Sequence, residues 1–221
     1  MTYLDGEIVT TAGTHRLHDR LFSLTVGVQC AVFSSMLIRS NSIDWYRQFL
    51  VNDRTNVNDS VKIESTQFQK DVLFPLRGPM ENIVLGQRPQ RIAIRINPYT
   101  PMPAHAWQMA GINPMFDIVI APIFVELFEC HRPWINNQSG AVKNWPPFFN
   151  FCRAVRNALS HGGKLDVRDS TTGIWHHLTY SDANIDHPVF GIVGADLAFA
   201  DLVILMFEFS HELDRLSCPN F

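Results

Sequence analysis

Between Phe151 and Val167 the chain reads FCRAVRNALSHGGKLDV, a stretch rich in side chains that handle phosphodiesters. Arg153, Asn157, Ser160 and His161 stand at offsets of four, seven and eight, which places them on one face of a helix. Arg156 lies at the edge of that stripe, and its long side chain reaches the same cleft as His161. His161 falls in the last turn, where helix-end carbonyls favour a positive charge, a suitable place for proton transfer. From 153 to 168, Arg153, Arg156, Lys164 and Arg168 stand against one acid, Asp166, a local net charge of +3. A cationic patch beside an imidazole suits a phosphodiester. An ordinary helix C-terminus also explains Arg and His near the end and Gly after it. Arg156 would then simply pair with Glu126 or Glu129.

The element that must hold these groups is a helix from about Pro147 to His161. Pro146-Pro147 suits its start and Gly162 its C-terminal cap. Phe148, Cys152, Val155 and Leu159 form its apolar stripe. The apolar run Pro114 to His131 predicts a neighbouring helix, kinked at Pro122, with a loop from Pro133 to Pro147. Lys164–Val167 and Trp175–Tyr180 predict a hairpin across Asp169 to Gly173. Gly194 to Leu216 predicts the last helix, with Asp201, Glu208 and Arg215 as a narrow polar line on an apolar rod. Further upstream, residues 14 to 39 and Ile43 to Val51 predict helices, and Asn52 to Asp59 a loop. Residues 64 to 84 read as partly helical, broken at Pro75 and Gly78-Pro79. RIAIRIN, Arg91 to Asn97, alternates as a strand does. The expectation is a mainly α chain.

Arg156-Asn157-Ala158-Leu159-Ser160-His161 resembles the R-x4-H motif of the HEPN superfamily, with a polar residue after the arginine and the histidine ending its helix. The resemblance covers residues 114 to 216; residues 1 to 113 match only as extra helices. It implies one HEPN-like domain over 1–221: an antiparallel helical bundle with extra N-terminal helices and a small β-hairpin insertion before the last helix. That insertion is similar to a plasmid- and integron-borne subgroup carried on mobile genetic elements. The resemblance further implies a metal-independent RNA endonuclease leaving 2′,3′-cyclic phosphate ends, a toxin or defence component that needs no cofactor. Arg156, Asn157 and His161 would be catalytic. Arg153, Ser160, Glu126 and Glu129 would support them, and Lys164 and Arg168 would bind RNA. A homodimer would bring two motifs to one cleft, and an antitoxin protein is a further implied partner. The other readings are an inactive HEPN module that binds RNA or a protein, and a purely structural helical oligomer.

Composition sets limits. The chain has 221 residues, 46% hydrophobic and 18% charged, against roughly 25% charged in an average domain. That is enough to bury a large core, and it favours a surface covered by a second subunit. The net charge of −3 provides no global field for nucleic acid, so a polyanion needs a local site. Cys30, Cys130, Cys152 and Cys218 form no C-x-x-C and predict reduced core thiols. The N-terminus lacks the pattern of a signal peptide. Leu21 to Ile38 carries no charge, but its serines, threonine and glutamine predict a buried helix rather than a membrane span. A cytoplasmic protein is the expectation. His15 and His18 are expected to face solvent. His176, His177 and His187 are placed to approach His161, and adjacent strand histidines point to opposite faces, which argues against a shared metal.

Overall fold

The computed structural model describes residues 6–40, 60–75, 86–101 and 112–219. The helix expected at Ile43–Val51, the loop at Asn52–Asp59 and the break at Gly78-Pro79 lie outside them. The described residues contain four α-helices, a four-stranded antiparallel sheet and a two-stranded one. The expectation of a mainly α, HEPN-like helical bundle is therefore overturned: the chain is a mixed α/β protein. It divides into two compact units, Asp5–Glu64 with Gln69–Val119, and Ser65–Phe68 with Ile120–Phe221.

The first unit contains β1 (Gly6–Thr11), α1 (His18–Ser40), β2 (Ser60–Glu64), β3 (Lys70–Pro75) and β4 (Arg91–Pro98). The sheet order is β1-β4-β3-β2, with every pair antiparallel. On β4, Ile92, Ile94 and Ile96 are buried while Arg91 and Arg95 are exposed, the period-two pattern of a half-buried strand. Ile94 pairs with Ile8 on β1, and Ile96 pairs with Val72 on β3. Strand β3 replaces the helix expected over residues 64 to 84. Val72 and Phe74 alternate into the core, and the run to Pro75 is too short for a stable helix once β2 and β4 pair on both sides. Leu21, Leu24, Val28 and Val32 of α1 are fully buried. No helix among the described residues is long and apolar enough to cross a membrane, α1 included. His18 does not face solvent as expected. It is 3% exposed, with Nδ1 3.3 Å from Thr10 Oγ1 and Nε2 3.0 Å from the Pro89 carbonyl.

Helix α2 (Asn113–Ser139) enters the second unit at Ile120, and α3 (Pro147–Ser160), β5 (Gly173–Trp175), β6 (Leu178–Tyr180) and α4 (Phe199–Arg215) follow. α2 runs through Pro133 into the stretch expected as loop, as far as Ser139, and residues 140 to 146 connect it to α3. Its stop is Gly140, whose φ of +73° suits a residue without a Cβ and whose N–H bonds the Asn136 carbonyl. α4 is buried at every residue from Phe199 to Ser210. The hairpin register differs from expectation: Trp175 pairs with Leu178 across His176-His177, and Lys164 bridges Pro188 instead. Aromatic packing explains the shift. Phe151 of α3 stacks on Tyr180 at 4.7 Å and lies 5.4 Å from Trp175. A Cβ at Gly173 would sit 2.5 Å from the Phe151 backbone, so α3 and β5 touch only because the residue is glycine. Cys152 and Cys218 are buried thiols in no disulfide, whereas Cys30 and Cys130 are exposed, against the expectation of core thiols there.

Candidate functional site

Helix α3 ends as its sequence demands. The N–H groups of His161 and Gly163 both donate to the Ala158 carbonyl, and Gly162 and Gly163 take φ of +78° and +81°. Gly163 then packs against another segment: a Cβ there would lie 2.1 Å from the Phe190 carbonyl oxygen. Gly163→Ala is expected to destabilise the protein by about 1–3 kcal/mol, from the forbidden φ and the clash together. A drop in the urea midpoint with unchanged slope checks this, and a midpoint equal to native would refute it.

Arg156, Glu129 and Asn157 come together. Arg156 Nε lies 2.6 Å from Glu129 Oε1 of α2, a charge contact without hydrogen-bond alignment, since neither buried atom gains a hydrogen bond. Arg156 Nη1 donates to Asn157 Oδ1 at 3.1 Å. Nη2 has no partner among the described residues. Of the two acids expected near the arginine, Glu129 takes it, while Glu126 stands exposed three residues earlier. His161 is exposed, and its imidazole has no partner among the described residues. Ser160 is exposed beside it. The apolar stripe packs inward, with Phe148, Cys152 and Val155 buried. Burial pushes the Cys152 thiol well above its ordinary range, helped by the Glu208 charge, so this cysteine is not a nucleophile.

Arg153 does not join this group. Its Nη2 donates to Asp169 Oδ1 at 2.9 Å and to Thr171 Oγ1 at 2.6 Å. Arg168 pairs with Asp166 at 2.6 Å in solvent. Three of the four cations counted on this stretch thus carry an acid, and the expected +3 patch is largely neutralised. Lys164 is exposed and in no ion pair among the described residues.

Burial tends to raise the Asp169 carboxyl, but bonds from Thr171 and Arg153 outweigh it and hold the group below its usual range. A folded-state carboxyl held low stabilises above its unfolded pKa of about 3.9 and loses that contribution as pH falls through the folded value. Asp169→Asn is therefore expected to flatten the fall in thermal stability below about pH 4. Identical acid slopes for variant and native would contradict this.

Three further polar groups were not assembled from the sequence. Glu208, 3% exposed in the middle of α4, accepts from Trp175 Nε1 at 2.7 Å and lies 3.0 Å from His176 Nε2. His176 and His177 occupy the hairpin turn, not a strand, with His176 at φ +51°. His177 Nε2 lies 2.9 Å from Gln67 Oε1. His187 Nε2 meets Asp196 Oδ2 at 2.8 Å, and Tyr180 Oη donates to the same oxygen at 2.9 Å. The pairs made by Glu208 and by His177 join residues 32 or more positions apart, and His187 and Asp196, nine apart, lie in irregular chain where no helical or strand period relates them. Among the described residues no group of three or more His, Cys, Asp or Glu is arranged to hold a metal. The chain matches no protein-family model, no curated protein and no solved structure, so the reading of this site rests on its own geometry.

Proposed function

We propose that this chain is a metal-independent RNA endonuclease of the HEPN type, a cytoplasmic toxin or defence component. One observation carries the reading. Arg156 meets the Glu129 charge at Nε and donates to Asn157 from Nη1, and just over one turn later α3 ends in the exposed His161, which has no partner among the described residues. Fixing two guanidinium nitrogens leaves Nη2, without a partner among the described residues, for a phosphoryl oxygen with little ordering still to be done. The RNA 2′-oxygen attacks the adjacent phosphorus and the bond to the 5′-oxygen breaks. The 2′-hydroxyl proton goes to a base, and an acid gives a proton to the leaving oxygen. The products are a 2′,3′-cyclic phosphate and a 5′-hydroxyl, and DNA is spared because it lacks the nucleophile. His161 moves one of the two protons, and Arg156 stabilises charge on the phosphoryl oxygens. A homodimer and an antitoxin protein are the partners this reading implies.

A second reading is a HEPN-type module that binds RNA or a protein without cutting it. It is favoured by the ion pairing of Arg153, Arg156 and Arg168, which leaves little free cationic charge for a general ribonuclease. The separating experiment is incubation with varied structured and unstructured RNAs in excess EDTA, followed by analysis of product ends. Cleavage to 2′,3′-cyclic phosphates supports the enzyme. Binding without cleavage supports the module.

A further inference from the structure

Transphosphorylation needs two proton-transfer groups, and Arg156 and His161 supply only one. Within the second unit the other histidines are His131, His176, His177, His187 and His211. His131 is fully buried, and its Nδ1 lies 2.8 Å from the Leu127 carbonyl. His176 is taken up by Glu208 and His177 by Gln67. His211 is exposed, with no carboxylate bonded to it among the described residues. His187 alone combines a carboxylate that orients it with a side chain 40% open to solvent.

The carboxylate is itself fixed. Asp196 Oδ2 accepts from buried Tyr180, the Asp196 N–H donates to the Pro188 carbonyl, and the Asp196 carbonyl accepts from Thr66 Oγ1 and Gln67 Nε2. Burial and the Asp196 charge push the Tyr180 phenol far above its ordinary range, so it remains a donor at every working pH. With Nε2 donating to a charged carboxylate, the tautomer is set, and Nδ1 presents a lone pair. Nδ1 has no partner among the described residues.

The position is also tied to the end of α3. Gly163, two residues after His161, accepts from the N–H groups of Val189 and Phe190. Lys164 bridges Pro188, the Leu165 N–H donates to the His187 carbonyl, and the Asp186 N–H donates to the Leu165 carbonyl. The chain leaving His161 is thus laced to the chain around His187. Asp186, at φ +67°, makes the turn that delivers His187 there. We infer that His187, oriented by Asp196, is the second proton-transfer group of the same RNA site, taking the 2′-hydroxyl proton at Nδ1 while His161 protonates the leaving 5′-oxygen. The charged and titratable groups around it are Asp196 and Tyr180, with Asp186 beside it in the chain and Lys164 on the paired segment.

The inference rests on the ribonuclease reading, and the test separates the two. Cleavage rates of native protein, His161→Ala, His187→Gln and His187→Ala are measured against pH, with thermal unfolding run on each. Glutamine keeps a donor to Asp196, so His187→Gln is expected to fold, to cleave roughly 10²–10⁴-fold more slowly with little change in KM, and to lose the low-pH limb of the rate profile. Added imidazole should restore part of the rate in His187→Ala, which a structural role would not allow. If His161→Ala is inactive while His187→Gln cleaves like native protein, the ribonuclease reading stands and this inference is overturned. Slow His187 variants that imidazole does not rescue and that keep the native pH profile overturn it too. If native protein cleaves no RNA, both fail.

Discussion

His161→Ala is expected to slow RNA cleavage in EDTA by about 10²–10⁴-fold, and Arg156→Ala by about 10²–10³-fold. The two variants should part company in stability. The His161 side chain is exposed and makes no hydrogen bond or ion pair among the described residues, so its removal changes the fold by no more than about 0.5 kcal/mol. A rate lost in that variant is therefore a loss of chemistry. Arg156 is different, because it faces Glu129 across 2.6 Å with both side chains partly buried. Its loss leaves Glu129 with only the longer contact to Arg132 Nη1 at 3.4 Å, so some destabilisation accompanies the lost rate. Arg156→Lys sharpens the comparison. An ammonium is a point charge and cannot hold Glu129 and Asn157 while presenting a third nitrogen. It is expected to restore stability more than rate. Native-like cleavage by His161→Ala would sink the ribonuclease reading. Loss of stability without loss of rate in Arg156→Ala would reduce that residue to an ordinary helix-end ion pair.

The helix that carries these groups was legible because its signals are local. Pro146-Pro147 opens it and Gly162-Gly163 closes it, and both are governed by backbone angles that neighbours in space hardly alter. The strand RIAIRIN was legible for the same reason, since three isoleucines at period two need only one buried face. Strand β3 was not, because its apolar run, Val72 to Pro75, is only four residues and fits either period until β2 and β4 are placed beside it. The charge patch failed by a related route. Counting residues 153 to 168 leaves out Asp169, one position further on, and Glu129 on the preceding helix, and these two acids take Arg153 and Arg156. The last helix begins at Phe199 rather than Gly194, because the Leu197 N–H is committed to the Val189 carbonyl and the Ala198 N–H to the Asp201 side chain. The polar line on that helix was visible, but its purpose was not: Asp201 and Glu208 turn inward rather than along a surface.

Asp201→Ala is the substitution expected to cost the fold most, by about 3–5 kcal/mol. The carboxylate is completely buried in the first turn of α4. Its oxygens accept from Ser65 Oγ, from the N–H and hydroxyl of Thr66, from the Gln67 N–H and from the Ala198 N–H. The last of these caps α4, and a negative charge in a first turn also suits the helix dipole. The others pin the Ser65–Phe68 segment, whose Phe68 ring lies 4.7 Å from Trp175 in the hairpin that carries His176. Alanine would leave these donors without the carboxylate, the Thr66 hydroxyl alone keeping the Asp196 carbonyl as an acceptor, at about 1–3 kcal/mol for each that water cannot reach. The sum is capped because Thr66 and Gln67 lie near the surface and can rehydrate. Against a total stability of about 5–15 kcal/mol, that loss is about a fifth or more of what holds the protein folded. Glu208→Gln should cost less, about 1–3 kcal/mol, because the amide oxygen still accepts one of the two donors from Trp175 and His176. Urea unfolding at neutral pH ranks the two. If Asp201→Ala shifts the midpoint no more than Glu208→Gln, the Ser65–Phe68 segment unfolds before the rest and its bonds to Asp201 do not support the core.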